Sequence, residues 1–163
     1  MILIIFFIFI TQGKPVFYTE ERLGKNGLPF LLYKFRTMKI NKPGILITDE
    51  SPYFIMGGNF LRKTGFDELP QFINIIKGEM NLVGPRPIPE SHQIYKNRKN
   101  YSRLRLKPGI TGLAQIKGRN GISWEEKLSF DESYINNHSI LNDISIILKT
   151  PFALVFTKHN YKN

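Results

Sequence analysis

The chain has 163 residues, 42% of them apolar, which is enough for one domain with a real core and excludes disorder by composition. It has no cysteine, so disulfides and thiolate metal sites are excluded, and its three histidines form no H-x-x-x-H pair suited to structural zinc. Lysine and arginine number 23 against 13 acidic residues, a net charge of +10, which points to an anionic partner: nucleic acid, anionic lipid or a phosphorylated substrate.

Residues 2–10, I-L-I-I-F-F-I-F-I, form an unbroken apolar run. As a helix it covers about 14 Å, against a hydrocarbon core of about 30 Å, so it is too short to span a bilayer. No basic segment precedes it and no A-x-A-like site follows before Gly13, which argues against a signal peptide. A buried core strand is the competing assignment, given its β-branched and aromatic content.

Val16-Phe17-Tyr18 and residues 29–35 flank Gly24-Lys25-Asn26-Gly27, and the Asn-Gly pair predicts a short β-hairpin. Lys34 and Arg36 alternate with Tyr33 and Phe35, so both cations can point to one side. Residues 41–58 read as a loop rich in turn formers, and residues 60–63 as a short helix.

The stretch 64–87, T-G-F-D-E-L-P-Q-F-I-N-I-I-K-G-E-M-N-L-V-G-P-R-P, organises the chain. Thr64 and Asp67 are both N-cap candidates, Pro70 fits a first turn, and Gly78 supplies a stop. Leu69, Phe72, Ile73 and Ile76 recur with helical spacing and predict one apolar face. Asp67 and Glu68 then sit at the positive end of a helix, and Arg86 is mounted between Pro85 and Pro87. A helix start, an acidic pair and a stiffly held guanidinium suit a phosphate site. Helix capping and a surface arginine account for the same residues more simply. Arg62, five residues before Asp67, is a partner for its charge.

Residues 89–107 are strongly basic, with Lys96, Arg98, Lys99, Arg103, Arg105 and Lys107 interleaved with Tyr95 and Tyr101. Such a pattern serves nucleic acid or an anionic membrane surface equally. Ser123 and Glu126 make a capping box, and the helix it opens carries Asp131 in the middle of an apolar face with Trp124, Leu128 and Ile135. A carboxylate there must be neutral, paired or metal-bound. Asp143 is expected to cap a last amphipathic helix, which Pro151 should kink or break. Its apolar face with lysines at the edges suits a membrane interface or the core.

Several ordered segments together resemble the bacterial sugar transferases, small monotopic phosphoglycosyl transferases. They are Lys34-Phe35-Arg36-Thr37-Met38, Leu61-Arg62-Lys63-Thr64, the D-E-L-P-Q from Asp67, the V-G-P-R-P from Val83, Pro108-Gly109-Ile110-Thr111-Gly112, Gly118-Arg119-Asn120 and Ser123-Trp124-Glu125-Glu126, covering roughly residues 13–150 in the family's order. The resemblance implies an α+β fold of short helices and a small hairpin. It also implies an N-terminal membrane-inserted segment at 1–12, of the re-entrant kind, ahead of a catalytic domain at 13–163. The entering half of such a helix and its bend are not in the sequence, so the chain is expected to begin late or to be a shortened relative.

The implied reaction moves a sugar-1-phosphate from a nucleotide diphosphate sugar, a UDP-sugar by expectation, to polyprenyl phosphate through an aspartyl-phosphosugar. Under the resemblance Asp67 is the nucleophile, Glu68 its partner, and both hold Mg²⁺. Lys34, Arg36, Arg62, Arg86, Arg119 and Asp131 become substrate or phosphate contacts. The location implied is the cytoplasmic face of the inner membrane, with lipid but no nucleic acid as a partner. Two rivals stand beside this reading: an inactive membrane-attached scaffold, and a basic nucleic-acid-binding module that leaves the acidic pair unexplained.

Overall fold

A two-stranded hairpin sets the frame. In the computed structural model, which describes residues 1–39, 53–96, 98–118 and 121–156, β1 (Phe17–Leu23) pairs antiparallel with β2 (Pro29–Phe35), Phe17 opposite Phe35 and Leu23 opposite Pro29. Asn26 and Gly27 turn the chain at φ of 59° and 76°, the left-handed values that an Asn-Gly pair tolerates. The predicted hairpin is present. The loop expected over 41–58 lies outside the described residues as far as residue 52.

The apolar run is a helix, α1 (Ile2–Gln12), and not a strand. Ile8 is buried and Ile4 and Ile5 are half-buried, packed on Phe35, Ile55 and Leu61. The opposite side is bare, with Ile2, Leu3, Phe6 and Ile10 each at least 63% exposed. Among the described residues no helix is long and apolar enough to cross a membrane.

The central stretch departs from its sequence reading. Instead of one helix there are three pieces: α2 (Gly58–Thr64), a 3₁₀ turn at Phe66–Glu68, and α3 (Gln71–Ile76). Gly65, at φ 74°, ends α2. Thr64 is therefore at a helix C-terminus, where its hydroxyl donates to the Phe60 and Leu61 carbonyls, and it caps nothing. Asp67 likewise makes no cap hydrogen bond to the turn it lies in.

The expected apolar face of α3 is turned outward as well: Phe72 is 44% and Ile76 86% exposed, while Gln71 and Asn74 are buried. The cause is the free edge of β2. Asn74 accepts from the Tyr33 N–H at 3.2 Å and donates to the Leu31 carbonyl at 2.7 Å, doing for that edge what a third strand would. Its amide also donates to Glu79 at 2.7 Å.

A second small sheet was not legible in sequence. β3 (Asn81–Val83) runs parallel to β4 (Gly109–Thr111), and the two chains meet so closely that a Cβ on Gly109 would lie 2.1 Å from the Gly84 nitrogen. Between them, 3₁₀ turns at Gln93–Lys96 and Arg98–Arg105 carry the basic stretch. Within that stretch Lys96 and Arg105 are exposed, whereas Arg103 is buried together with Ile94, Tyr95 and Leu104. A short helix, α4 (Leu113–Lys117), follows β4.

In α5 (Trp124–Asn136) the predicted capping box is complete: the Ser123 N–H donates to Glu126 and the Glu126 N–H to the Ser123 hydroxyl. Helix α6 (Ile140–Phe156) continues through Pro151 instead of breaking there. Asp143 is not its cap. The Asn142 N–H meets the Ser139 hydroxyl, and Asp143 in the first turn accepts from the Tyr134 hydroxyl at 2.7 Å. Ile146 is the inward residue of α6, while Ile140, Leu141, Leu148 and Phe152 are at least 66% exposed. The architecture is mixed helix and sheet, built from short helices and small sheets over several modest apolar clusters.

Candidate active site

The loop after β3 carries Arg86, and it is held at four consecutive carbonyls. Pro85 accepts from the Gly109 N–H at 3.0 Å, Arg86 from the Arg103 guanidinium at 2.8 Å, Pro87 from Arg22 at 3.3 Å and Ile88 from the Leu23 N–H at 3.2 Å. Two prolines restrict the backbone torsions, and four separate donors fix where the loop sits. The result is a guanidinium on a mount that has little freedom to drift.

That guanidinium meets Glu68 at 2.8 Å, and Lys34, from the far end of β2, reaches the same Oε1 oxygen at 3.0 Å. Burial works against ionisation of Glu68, but Arg86 and Lys34 outweigh it and hold the carboxyl well below the usual range. Its neighbour Asp67 is in the opposite state. Asp67 is 7% exposed, and burial together with the charge on Glu68 pushes its pKa up to about 6, against the pull of Lys34, Arg62 and Arg86. Adjacent carboxylates of such different proton affinity are the pattern expected of a reactive pair.

These groups line one cleft of about 470 Å³. Six cations (Arg22, Lys34, Arg62, Arg86, Arg103 and Lys127) face three carboxylates (Asp67, Glu68 and Asp131), an excess that selects an anionic ligand. His92 and Trp124 supply an aromatic wall, with ring centroids 4.4 Å apart. Gly65, on the rim, lies against α6: a Cβ there would come within 3.3 Å of Leu154. The cleft therefore adjoins the helix whose apolar side is bare.

Of the residues singled out in sequence, the structure brings Lys34, Arg62, Asp67, Glu68, Arg86 and Asp131 together in this cleft. Arg36 does not join them. Its guanidinium is buried and donates to the Gln12, Gly13 and Lys14 carbonyls, closing the C-terminus of α1. Lying just past the end of β2, it no longer shares the direction of Lys34. Arg119 lies outside the described residues. Asp131 is paired with Arg103 at 2.7 Å, both side chains 4% exposed, and burial raises its pKa to about 6 in spite of that partner.

The sequence reading missed Arg22 and Lys127 and placed Arg103 on a basic surface. Nothing local marks Arg22, whose contact is 65 residues away. Lys127 had one signal, its position one helical turn after Trp124.

Comparison with known proteins identifies the family. The family model described as bacterial sugar transferase matches residues 1–157. The chain is 45% identical over 140 residues to the uncharacterized sugar transferase EpsL of Bacillus subtilis, covering 85% of this chain and 69% of that protein. It is 37% identical over 170 residues to the exopolysaccharide production protein ExoY of Sinorhizobium fredii, covering 93% and 75%. With the UDP-glucose:undecaprenyl-phosphate glucose-1-phosphate transferase of Escherichia coli it shares 39% identity over 163 residues, 93% of this chain but 35% of that longer protein. The chain belongs to the bacterial sugar transferase family and is a phosphoglycosyl transferase.

Proposed function

We propose that the protein transfers a sugar phosphate from a nucleotide diphosphate sugar, of the UDP-sugar class, to polyprenyl phosphate, with Asp67 as the nucleophile. The observation that carries this reading is the Asp67–Glu68 pair, two adjacent carboxylates in opposite electrostatic states within a cation-lined cleft. In the first step a carboxylate oxygen of Asp67 attacks the sugar-bearing phosphorus. A new P–O bond forms, the bond from that phosphorus to the bridging oxygen breaks, and its electron pair leaves on the nucleoside monophosphate. In the second step an oxygen of polyprenyl phosphate attacks the same phosphorus and returns the carboxylate of Asp67. The lipid leaves as a diphosphate sugar.

Each residue has a physical task in this scheme. Burial strips Asp67 of water and makes it a better nucleophile, while a pKa near 6 still leaves it ionised at neutral pH. Glu68 stays anionic and keeps Lys34 and Arg86 beside the reacting phosphate. Arg62 offsets charge at Asp67, on which its field acts directly.

Magnesium suits these donors. It needs only one or two protein carboxylates, taking its remaining ligands from phosphate and water. Asp67 and Glu68 would hold it, since both cations on Glu68 occupy Oε1 alone, and the ion would neutralise diphosphate charge. Among the described residues no group of three or more acidic or histidine side chains forms a protein-only metal cage.

Membrane attachment belongs to the same reading. The bare sides of α1 and α6 supply the apolar area for an interfacial, monotopic position on the cytoplasmic face, and α6 reaches the cleft rim at Gly65. The test is transfer of radiolabelled sugar phosphate from candidate UDP-sugars, with Mg²⁺, to undecaprenyl phosphate. A labelled lipid product, lost in Glu68→Gln, supports the reading. Lipid product at an unchanged rate in that variant contradicts the role given to the pair.

A further inference from the structure

Most cations of the cleft already have a carboxylate partner. Glu20 takes Arg22, Glu68 takes Lys34 and Arg86, and Asp131 takes Arg103. Arg62 lies over the Phe54 ring and directs its field at Asp67. Lys127 is different. It lines the cleft, no carboxylate meets it among the described residues, and its ammonium rests 4.5 Å from the centroid of the Trp124 ring.

We propose that Lys127, seated on Trp124, is the contact for the nucleotide's own phosphate, the group that departs as nucleoside monophosphate. This rests on the nucleotide-sugar reading above and deepens it.

Charge balance gives the reason. In the donor the nucleotide's phosphate carries one negative charge. When the bond to the bridging oxygen breaks, that phosphate gains the electron pair and leaves as a dianion, while the charge of Asp67 is consumed in the new bond. The negative charge that develops in the first step therefore appears on the leaving group. Lys34, Arg86 and Arg62 are committed around the acidic pair, so a separate cation is needed where the departing phosphate sits.

Three features equip Lys127 for that task. The capping box fixes the first turn of α5, and the ring of Trp124 one turn earlier fixes the ammonium. Trp124 is itself held in the cluster of Leu23, Ile88, Ile94, Tyr95 and Leu104. Burial and then the charge of Arg86 both work against protonation of Lys127, so the two cations are near enough to repel. An anion between them relieves that repulsion. The charges of Arg103, Arg22 and Lys127 also converge on His92, marking this end of the cleft as strongly positive.

A lysine lying over a tryptophan also serves simple helix packing, and binding experiments separate the two roles. Calorimetric titration of the full chain with UMP and with uridine should show Lys127→Met weakening UMP about tenfold or more and leaving uridine unchanged. Lys127→Arg should retain most of the UMP affinity. Lys117→Met removes an equal charge from an exposed position outside the cleft and should change nothing. Thermal unfolding of Lys127→Met matching the unsubstituted protein confirms that the loss is local.

UMP bound equally well by Lys127→Met overturns the assignment. So does a Lys127→Met defect confined to the KM for undecaprenyl phosphate, because the lysine would then serve the acceptor. If the unsubstituted protein fails to bind UMP at all, the nucleotide-sugar reading falls together with the assignment.

Discussion

Arg103 holds Arg86 by its backbone, donating to its carbonyl oxygen at 2.8 Å, while Asp131 holds Arg103 at 2.7 Å. The Arg86 guanidinium is thus positioned from behind, by a buried ion pair that spans the Arg98–Arg105 turn and α5. Glu68 meets only the front of Arg86.

The two halves of that buried pair should respond unequally to substitution. Asp131→Asn leaves a guanidinium that cannot lose its proton in a 4% exposed site, and should cost about 3 to 5 kcal/mol of stability. Arg103→Met leaves Asp131, whose pKa is already raised to about 6 and which Arg103 was pulling down. Without that pull it takes up a proton near neutral pH, so the cost should be smaller. Denaturant unfolding of both variants at pH 7 checks the order. A larger loss for Arg103→Met contradicts it.

Asp67 should trade stability for reactivity. Its folded pKa, about 6, lies above the ordinary value of 3.8, so its contribution to stability is full below about pH 4 and is lost as pH rises through 6. Asp67→Asn should therefore be more stable than the unsubstituted protein at pH 7.5, by about 1 to 3 kcal/mol, with the gain vanishing near pH 4. The acidic limb of kcat/KM should likewise fall near pH 6 and not near 4. Unfolding curves at the two pH values, and a pH–rate profile, are the measurements. A variant less stable than the parent at pH 7.5 counts against a desolvated carboxylate.

Sequence patterning revealed the hairpin, the capping box at Ser123 and the acidic pair, because each is specified by neighbours along the chain. It failed at α3, where helical spacing of Phe72 and Ile76 suggested an inward face that the structure turns outward. What decides that face is the unpaired edge of β2, a partner more than 40 residues away. The parallel pairing of β3 with β4 was invisible for the same reason. The site followed suit: Lys34, Asp67, Glu68 and Arg86 were legible, whereas the clamps from Arg22 and Arg103 on the Arg86 loop depend on tertiary contacts.

Asn74 should accordingly matter more than its place on a short helix suggests. Asn74→Ala empties a fully buried position and leaves the part-buried Tyr33 N–H and Leu31 carbonyl without their partner, and should cost about 2 kcal/mol or more. Phe72→Ala, at a position 44% exposed, should cost well under that. Unfolding free energies of the two variants give the comparison, and a reversed order contradicts the assigned facing of α3.

Membrane attachment should rest on apolar area and not on the basic stretch. On a membrane the exposed residues of α1 and α6 would bury apolar area, an attraction that salt does not screen, whereas lysine attraction to anionic lipid is screened within about 8 Å at physiological ionic strength. The protein should stay with membranes in a high-salt wash and leave in detergent. Release by salt alone would favour a peripheral electrostatic protein.

The covalent role proposed for Asp67 is tested most directly by intact-mass spectrometry of the full chain after incubation with UDP-sugars and Mg²⁺, without lipid acceptor. The expected result is a mass increase of one sugar phosphate on the unsubstituted protein, mapping by proteolysis to Asp67, cleared on addition of undecaprenyl phosphate and absent from a folded Asp67→Asn. Lipid-linked product formed at the parent rate by Asp67→Asn, or an adduct mapping to another residue, would contradict it.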